Sequence, residues 1–230
     1  MKVLAISTSS ASGSIALVNC NGENDEVAAE LASGAAENHS RWLLKSIKAL
    51  LEGARCSIGE IDLFAVDVGP GSFTGIRVGV STVKGLAWPS NRKAAGVSTL
   101  KALAMNISSE RPICPVLDAR KGEVYAALYL RKDGRFEELM GESAIKPQAL
   151  FDRVNELCPG PVVFLGGGLG VYGNEILKNI KGAELAPERL WQIRASNVAL
   201  LARDSAPVGP EALSPVYLRK SEAELKTKAG

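Results

Sequence analysis

The run Gly69-Pro-Gly-Ser-Phe-Thr-Gly-Ile-Arg-Val-Gly79 carries four glycines between a strand-like apolar stretch and a helix-like one. Side chains are missing there because the backbone must come very close to something. The candidates are a phosphate, a neighbouring helix, or both in succession. The run is not a Walker A loop, since Ile76 and Arg77 follow Gly75 where Lys and Ser or Thr are needed. Its spacing, G-x-G-x-x-x-G, also misses the dinucleotide fingerprint, and no acid stands about 20 residues on to hold a ribose. A helix N-terminus reached through Gly71 and Ser72 remains able to receive an anion. Gly75 and Gly79 pose a separate question, because each glycine inside a helix costs about 1 kcal/mol relative to alanine. Two readings stay open: packing on a helix of the same chain, or a groove for a helix of another subunit.

Around this run the elements fall into a repeating order. Lys2 to Ile6 reads as a strand, Thr8 to Gly13 as a turn, Ser14 to Val18 as the returning strand, and Glu26 to Leu31 as its extension. From His39 to Ala54, Leu43, Leu44, Ile47, Leu50 and Leu51 recur at helical spacing, with Asn38 as N-cap. Ile61 to Val68 is a strand, Phe73 to Trp88 a helix stopped by Pro89, Ala94 to Val97 a strand, and Ser98 to Ile107 a helix. The pattern then restarts. Strands are predicted at 113–117, 124–130 and 136–140, with a hairpin turn over 131–135. A helix at 147–157 and a strand at 162–165 follow, then Gly166-Gly-Gly-Leu-Gly170 and a helix to Ile180. Both halves run hairpin, helix, strand, glycine loop, helix, an internal duplication expected to divide the chain into 1–108 and 109–230. Residues 195–230 form a terminal helix and a proline-punctuated tail of the second half.

Two such halves make a cleft with a glycine loop on each wall. Thr8, Gly71 and Ser72 on one side and Asp118, Gly167 and Gly168 on the other are the candidates for holding a nucleotide, ATP or ADP. Asp118 is equally a turn aspartate at the bend into Gly122, with Arg120 and Glu123 pairing across it.

Composition narrows the classes further. The four cysteines are scattered, form no C-x-x-C pair and sit by apolar runs, which predicts buried reduced thiols and favours the cytoplasm. The start of the chain offers too short an apolar stretch for a signal segment, and no later run approaches a membrane span. A net charge of +2 with interspersed signs leaves no nucleic-acid footprint; the basic segments 41–48, 92–93 and 219–228 read as solvated surface. His39 is the only histidine, and Leu43 stands where an H-x-x-x-H metal site needs a second. A Ser-His-Asp triad has no support, as there is no G-x-S-x-G elbow.

The segments Leu4-Ala-Ile-Ser-Thr8, 69–79, Gly96-Val-Ser-Thr-Leu100, Asp118-Ala-Arg-Lys-Gly-Glu-Val-Tyr125 and Pro215-Val-Tyr-Leu-Arg219 together resemble the bacterial TsaB (YeaZ) family across nearly the whole chain. That family serves threonylcarbamoyladenosine modification of tRNA. The resemblance implies an α/β fold, actin-like or sugar-kinase-like (ribonuclease H-like), of two duplicated mixed-sheet halves flanked by helices. It implies a non-catalytic subunit that pairs with the catalytic paralogue TsaD through its two N-terminal helices, self-pairs through the same surface when alone, engages the ATPase TsaE, and meets tRNA only within the complex. No cofactor is required on this reading, although a nucleotide at the complex interface stays open. The family commonly carries Asp at the position of Ser7, which weakens the rival reading of an autonomous ATPase or sugar kinase. A glycoprotease-like metallopeptidase is the other rival.

The interface is expected to comprise Trp42, Leu43, Ile47, Leu50, Gly75, Ile76, Gly79, Val80 and Val83. On that expectation Gly79→Leu blocks association and leaves the monomer folded.

Overall fold

The computed structural model describes residues 1–22, 24–34 and 39–219, with backbone only at His39 and Ser40. The expected cap Asn38, the side chain of His39 and the tail beyond Arg219 lie outside the described residues.

The first sheet is built from β1 (Lys2–Ser7), β2 (Ser14–Asn19), β3 (Glu26–Ala32), β4 (Leu63–Gly69) and β5 (Lys93–Ser98), with α1 (His39–Gly53) and α2 (Phe73–Ala87) between its strands in sequence and α3 (Thr99–Ala104) after the last of them. The second contains β6 (Ile113–Arg120), β7 (Glu123–Lys132), β8 (Arg135–Ile145), β9 (Val162–Leu165) and β10 (Ala183–Leu185), with α4 (Pro147–Leu157) and α5 (Leu169–Asn179); α6 (Ala195–Arg203) follows. Strand order is β3-β2-β1-β4-β5 in one and β8-β7-β6-β9-β10 in the other. In each the first three strands are antiparallel and the rest parallel. The duplication expected from element order is therefore present in topology, and the architecture is the actin-like, ribonuclease H-like one.

Alternation along the strands sorts side chains into layers. Val3 and Ala5 of β1 and Leu63 and Ala65 of β4 face a central core, while Leu4, Ile6, Phe64 and Val66 face outward under α1 and α2. In the second sheet Ile113, Leu117, Val163 and Leu165 meet that same central core, and Cys114, Val116, Val162 and Phe164 lie beneath α4 and α5. The central layer holds α3 and α6, whose Ala102, Ala195, Ala199 and Ala202 allow close approach to alanines of the first sheet. Thus α6, expected with the second half, packs on β1 and β2. The tail follows it, with Val208 bridging Ala94 and Leu213 buried under α2. All four cysteines are buried and free. No helix among the described residues is long and apolar enough to cross a membrane.

Local chemistry explains the boundaries. Ser72 caps α2 by accepting the Gly75 N–H at 3.2 Å, and Ser98 caps α3 through the Lys101 N–H at 3.0 Å. Asp133 and Gly134 both take positive φ in the β7–β8 turn, the pairing a two-residue hairpin needs. That hairpin is longer than the strand predicted at 136–140, because β8 continues to Ile145.

Candidate functional site

The glycine loop begins where β4 ends. Gly69 has φ +132°, open only to glycine, and a Cβ there would overlap the Val216 carbonyl oxygen. Ser72 N–H donates to the Ser9 carbonyl at 2.7 Å, and a Cβ on Gly71 would run into Ser9. One turn into α2, Thr8 Oγ1 donates to the Gly75 carbonyl at 2.8 Å. A Cβ on Gly75 would overlap the Thr8 carbonyl oxygen, and one on Gly79 would sit 2.6 Å from Thr8 Oγ1 and 3.0 Å from Val66 Cγ2. The close approach is therefore to the end of β1 in the same chain, an occupant outside the two weighed for these glycines.

This corrects the expected interface. Gly75, Gly79, Ile76, Val80 and Val83 form the buried face of α2, and Leu43, Ile47 and Leu50 the buried face of α1; all lie in the core over the first sheet. Trp42 is half-buried against it. Helical periodicity locates an apolar face but does not say whether a sheet of the same chain already covers it. The exposed face is a different set. An open groove of about 480 Å³ between α1 and α2 is lined by Leu44, Phe73, Thr74, Arg77, Val78, Ser81 and Thr82, with Leu43 at its floor. Leu44, one of the apolar residues that recur at helical spacing along α1, is 59% exposed.

The expected nucleotide residues are brought together in two groups, one on each half. In the first, Thr8 is bonded to Gly75, Ser72 to Ser9 and Gly75, and Gly71 lies against Ser9. In the second, Gly168 N–H donates to the Val116 carbonyl at 3.0 Å, and a Cβ on Gly168 would meet Val116. Only Gly167 has open space around it. Asp118 Oδ1 accepts the Arg120 N–H at 2.8 Å, with its other oxygen 3.3 Å from the Arg120 guanidinium, so it holds its own turn. Glu123 pairs with Arg219 at 3.3 Å and not with Arg120 as expected. The amides of Ser72 and Gly168 both have backbone acceptors within the chain. Among the described residues no three His, Cys, Asp or Glu side chains gather as metal ligands.

Sequence reasoning missed two features. The first is Asp67, 0% exposed at the end of β4. The β1–β4 register pairs Ile6 with Val66, so Ser7 stands beside Asp67 one step on. Asp67 Oδ2 accepts from Ser7 Oγ at 2.8 Å, from Thr99 Oγ1 at 3.3 Å and from Ser9 Oγ, whereas Oδ1 is buried without a partner. Burial lifts this carboxyl above its ordinary range; the hydroxyls of Ser9 and Ser7, the nearby Thr8 N–H and Thr99 oppose it. The departure at Ser7 thus coexists with a carboxylate supplied by the neighbouring strand. A lone Asp inside the apolar run 63–68 was the available signal.

The second feature is the strap Val216 to Arg219. Val216 N–H donates to the Val68 carbonyl at 2.8 Å, Tyr217 stacks on Phe73 with ring centroids 4.7 Å apart, and Arg219 reaches the Ala119 carbonyl at 3.2 Å as well as Glu123. Three Cα steps span at most about 11 Å, so the strap ties the glycine loop of one half to the β6–β7 turn of the other across a narrow gap.

A family model described as "TsaD: tRNA N6-adenosine threonylcarbamoyltransferase" matches residues 31–163. The tRNA threonylcarbamoyladenosine biosynthesis protein TsaB of Bacillus subtilis (strain 168) is 31% identical over 229 residues, covering 98% of this chain and 97% of its own. The protein of that name from Escherichia coli (strain K12) is 30% identical, covering 97% and 96%. Among solved structures, YeaZ from Pseudomonas aeruginosa superposes with a TM-score of 0.78 at 24% identity over 94% of this chain and 99% of its own, a likeness of fold. With a relative of 31% identity along almost its entire length, the chain belongs to the TsaB (YeaZ) family.

Proposed function

We propose that this chain is the non-catalytic partner subunit in the formation of threonylcarbamoyladenosine in tRNA, docking to the catalytic paralogue TsaD through the exposed face of α1 and α2. The pathway follows from the names its relatives carry. The observation that carries the docking reading is the groove itself: Leu44 stands 59% exposed beside Phe73 and Val78 on two helices whose opposite faces are locked into the core. An apolar side chain held out on a rigid helix gains about 1.5–3 kcal/mol when a partner covers it.

The chemistry on this reading resides in the paralogue. Here the end of β1 presents Ser7, and the one carboxylate beside it, Asp67, is enclosed and tied to hydroxyls of its own chain. Such a group braces the turn Ser7 to Ser9 and, through Ser9 and Thr8, the first turn of α2. The subunit's contribution is then a preorganised surface. The same face serves self-pairing when the paralogue is absent, and the ATPase TsaE joins the assembled pair. Nothing in the net charge of +2 calls for tRNA contact outside the complex.

The test is reconstitution. Purified TsaD, TsaE, threonylcarbamoyl-adenylate supply and tRNA are assayed for modified adenosine with and without this chain, alongside copurification with TsaD. Modification that requires the chain, together with copurification, is the expected result. Full modification without it overturns the reading.

A further inference from the structure

Arg77 is the one charged side chain among those lining the α1–α2 groove. Its guanidinium carbon lies 3.9 Å from the centre of the Phe73 ring and 5.9 Å from that of Tyr217, and its Nε donates to Tyr217 Oη at 2.9 Å. Phe73 and Tyr217 are themselves stacked, their planes 29° apart. The strap that delivers Tyr217 is pinned on both sides, by Val216 to β4 and by Arg219 to the β6–β7 turn. An exposed arginine ordinarily samples many rotamers; this one is held over an aromatic face by a hydrogen bond. No carboxylate among the described residues pairs with it.

We propose that Arg77 is a specificity-determining residue of the docking face, selecting a partner helix that brings a carboxylate to the strap end of the groove and disfavouring a second copy of this chain. This rests on the docking reading above and names the partner's chemistry. With Nε engaged by Tyr217, the two terminal nitrogens remain to grip a carboxylate side by side, and a guanidinium already fixed loses little freedom in doing so. The negative half of the selection comes from symmetry. When two copies pair through one shared face, each Arg77 meets the same lining set: leucines, Phe73, Thr74, Val78, Ser81 and Thr82. None of these described lining residues is acidic, so in a self-pair the groove of the second copy offers apolar surface and no counter-charge to either guanidinium. A helix with an acid at that position gains the apolar burial and the ion pair together.

The experiment measures, on the full chain, affinity for TsaD by calorimetry at two salt concentrations and self-association by sedimentation equilibrium. The variants are Arg77→Gln, Arg77→Lys and Tyr217→Phe. Arg77→Gln is expected to weaken TsaD binding at least about tenfold and flatten its salt dependence, because a charge-assisted pair is lost. It is also expected to strengthen self-association. Arg77→Lys keeps the charge but not the fork, and Tyr217→Phe keeps the stack but not the bond, so each should weaken TsaD binding by a smaller factor. Unfolding midpoints check that the exposed substitutions leave the fold intact. The proposal is overturned if Arg77→Gln leaves TsaD affinity unchanged, or weakens both associations alike. Wild-type chain that binds TsaD while Arg77→Gln is neutral removes this inference alone; wild-type chain that does not bind TsaD removes the docking reading with it.

Discussion

Thr8 donates its hydroxyl to the carbonyl of Gly75 at 2.8 Å, and the space a Gly75 side chain would take is filled by the Thr8 carbonyl oxygen. The end of β1 and the first turns of α2 are thereby interlocked through backbone. This contact explains why two glycines are tolerated inside a helix.

Substitutions at these glycines should therefore unfold the chain before they affect any partner. Gly75→Ala pushes a methyl against backbone and is expected to cost about 3 kcal/mol or more, at the upper end of overpacking effects. Gly79→Ala displaces the Thr8 hydroxyl and should cost about 1–3 kcal/mol, while Gly79→Leu, with Val66 also in the way, should not give a stable fold. Urea denaturation measures all three. Wild-type midpoints would contradict the interlock.

Asp67 should leave a signature in the pH dependence of stability. Its carboxyl is raised in the folded protein, so between the unfolded value near about 4 and the higher folded value the native state holds more protons than the unfolded one. Stability is then lost as pH rises through that interval, and the full penalty stands above it. Asp67→Asn does not titrate. Its stability relative to wild type should increase as pH rises from about 4 and level off once Asp67 is ionised in the folded wild type; a difference that stays constant throughout, or shrinks, would count against a buried raised carboxyl.

Ser7 and Asp67 should be coupled strongly. Ser7→Asp alone sets a second carboxylate beside the first in an enclosed site and should destabilise. Adding Asp67→Ala leaves one carboxylate, now on β1, and should recover much of the loss, with a coupling of about 1–3 kcal/mol in a double-mutant cycle. Additive effects would mean that the two positions do not share one carboxylate site.

Much of this fold was legible because its strands are short, apolar and separated by caps and turns of known chemistry. Ser72, Ser98, the run before Pro89 and the Asp133-Gly134 turn each set a boundary locally. The placement of α6 was not legible, since an alanine-rich helix carries no mark of which sheet it will cover. The interface residues failed for a related reason. Leu43 and Leu44 are neighbours of like character, and only the sheet beneath α1 makes one core and the other surface. Asp67 was visible as an acid in an apolar strand, but its partners Ser7, Ser9 and Thr99 are distant in sequence.

The docking face itself is tested most directly by Leu44→Asp, a change on the exposed side of α1. The account predicts an unfolding midpoint like that of wild type and an affinity for TsaD reduced by about 30-fold or more, the equivalent of roughly 2 kcal/mol of lost apolar burial. Binding of the variant to TsaD with wild-type affinity would contradict it.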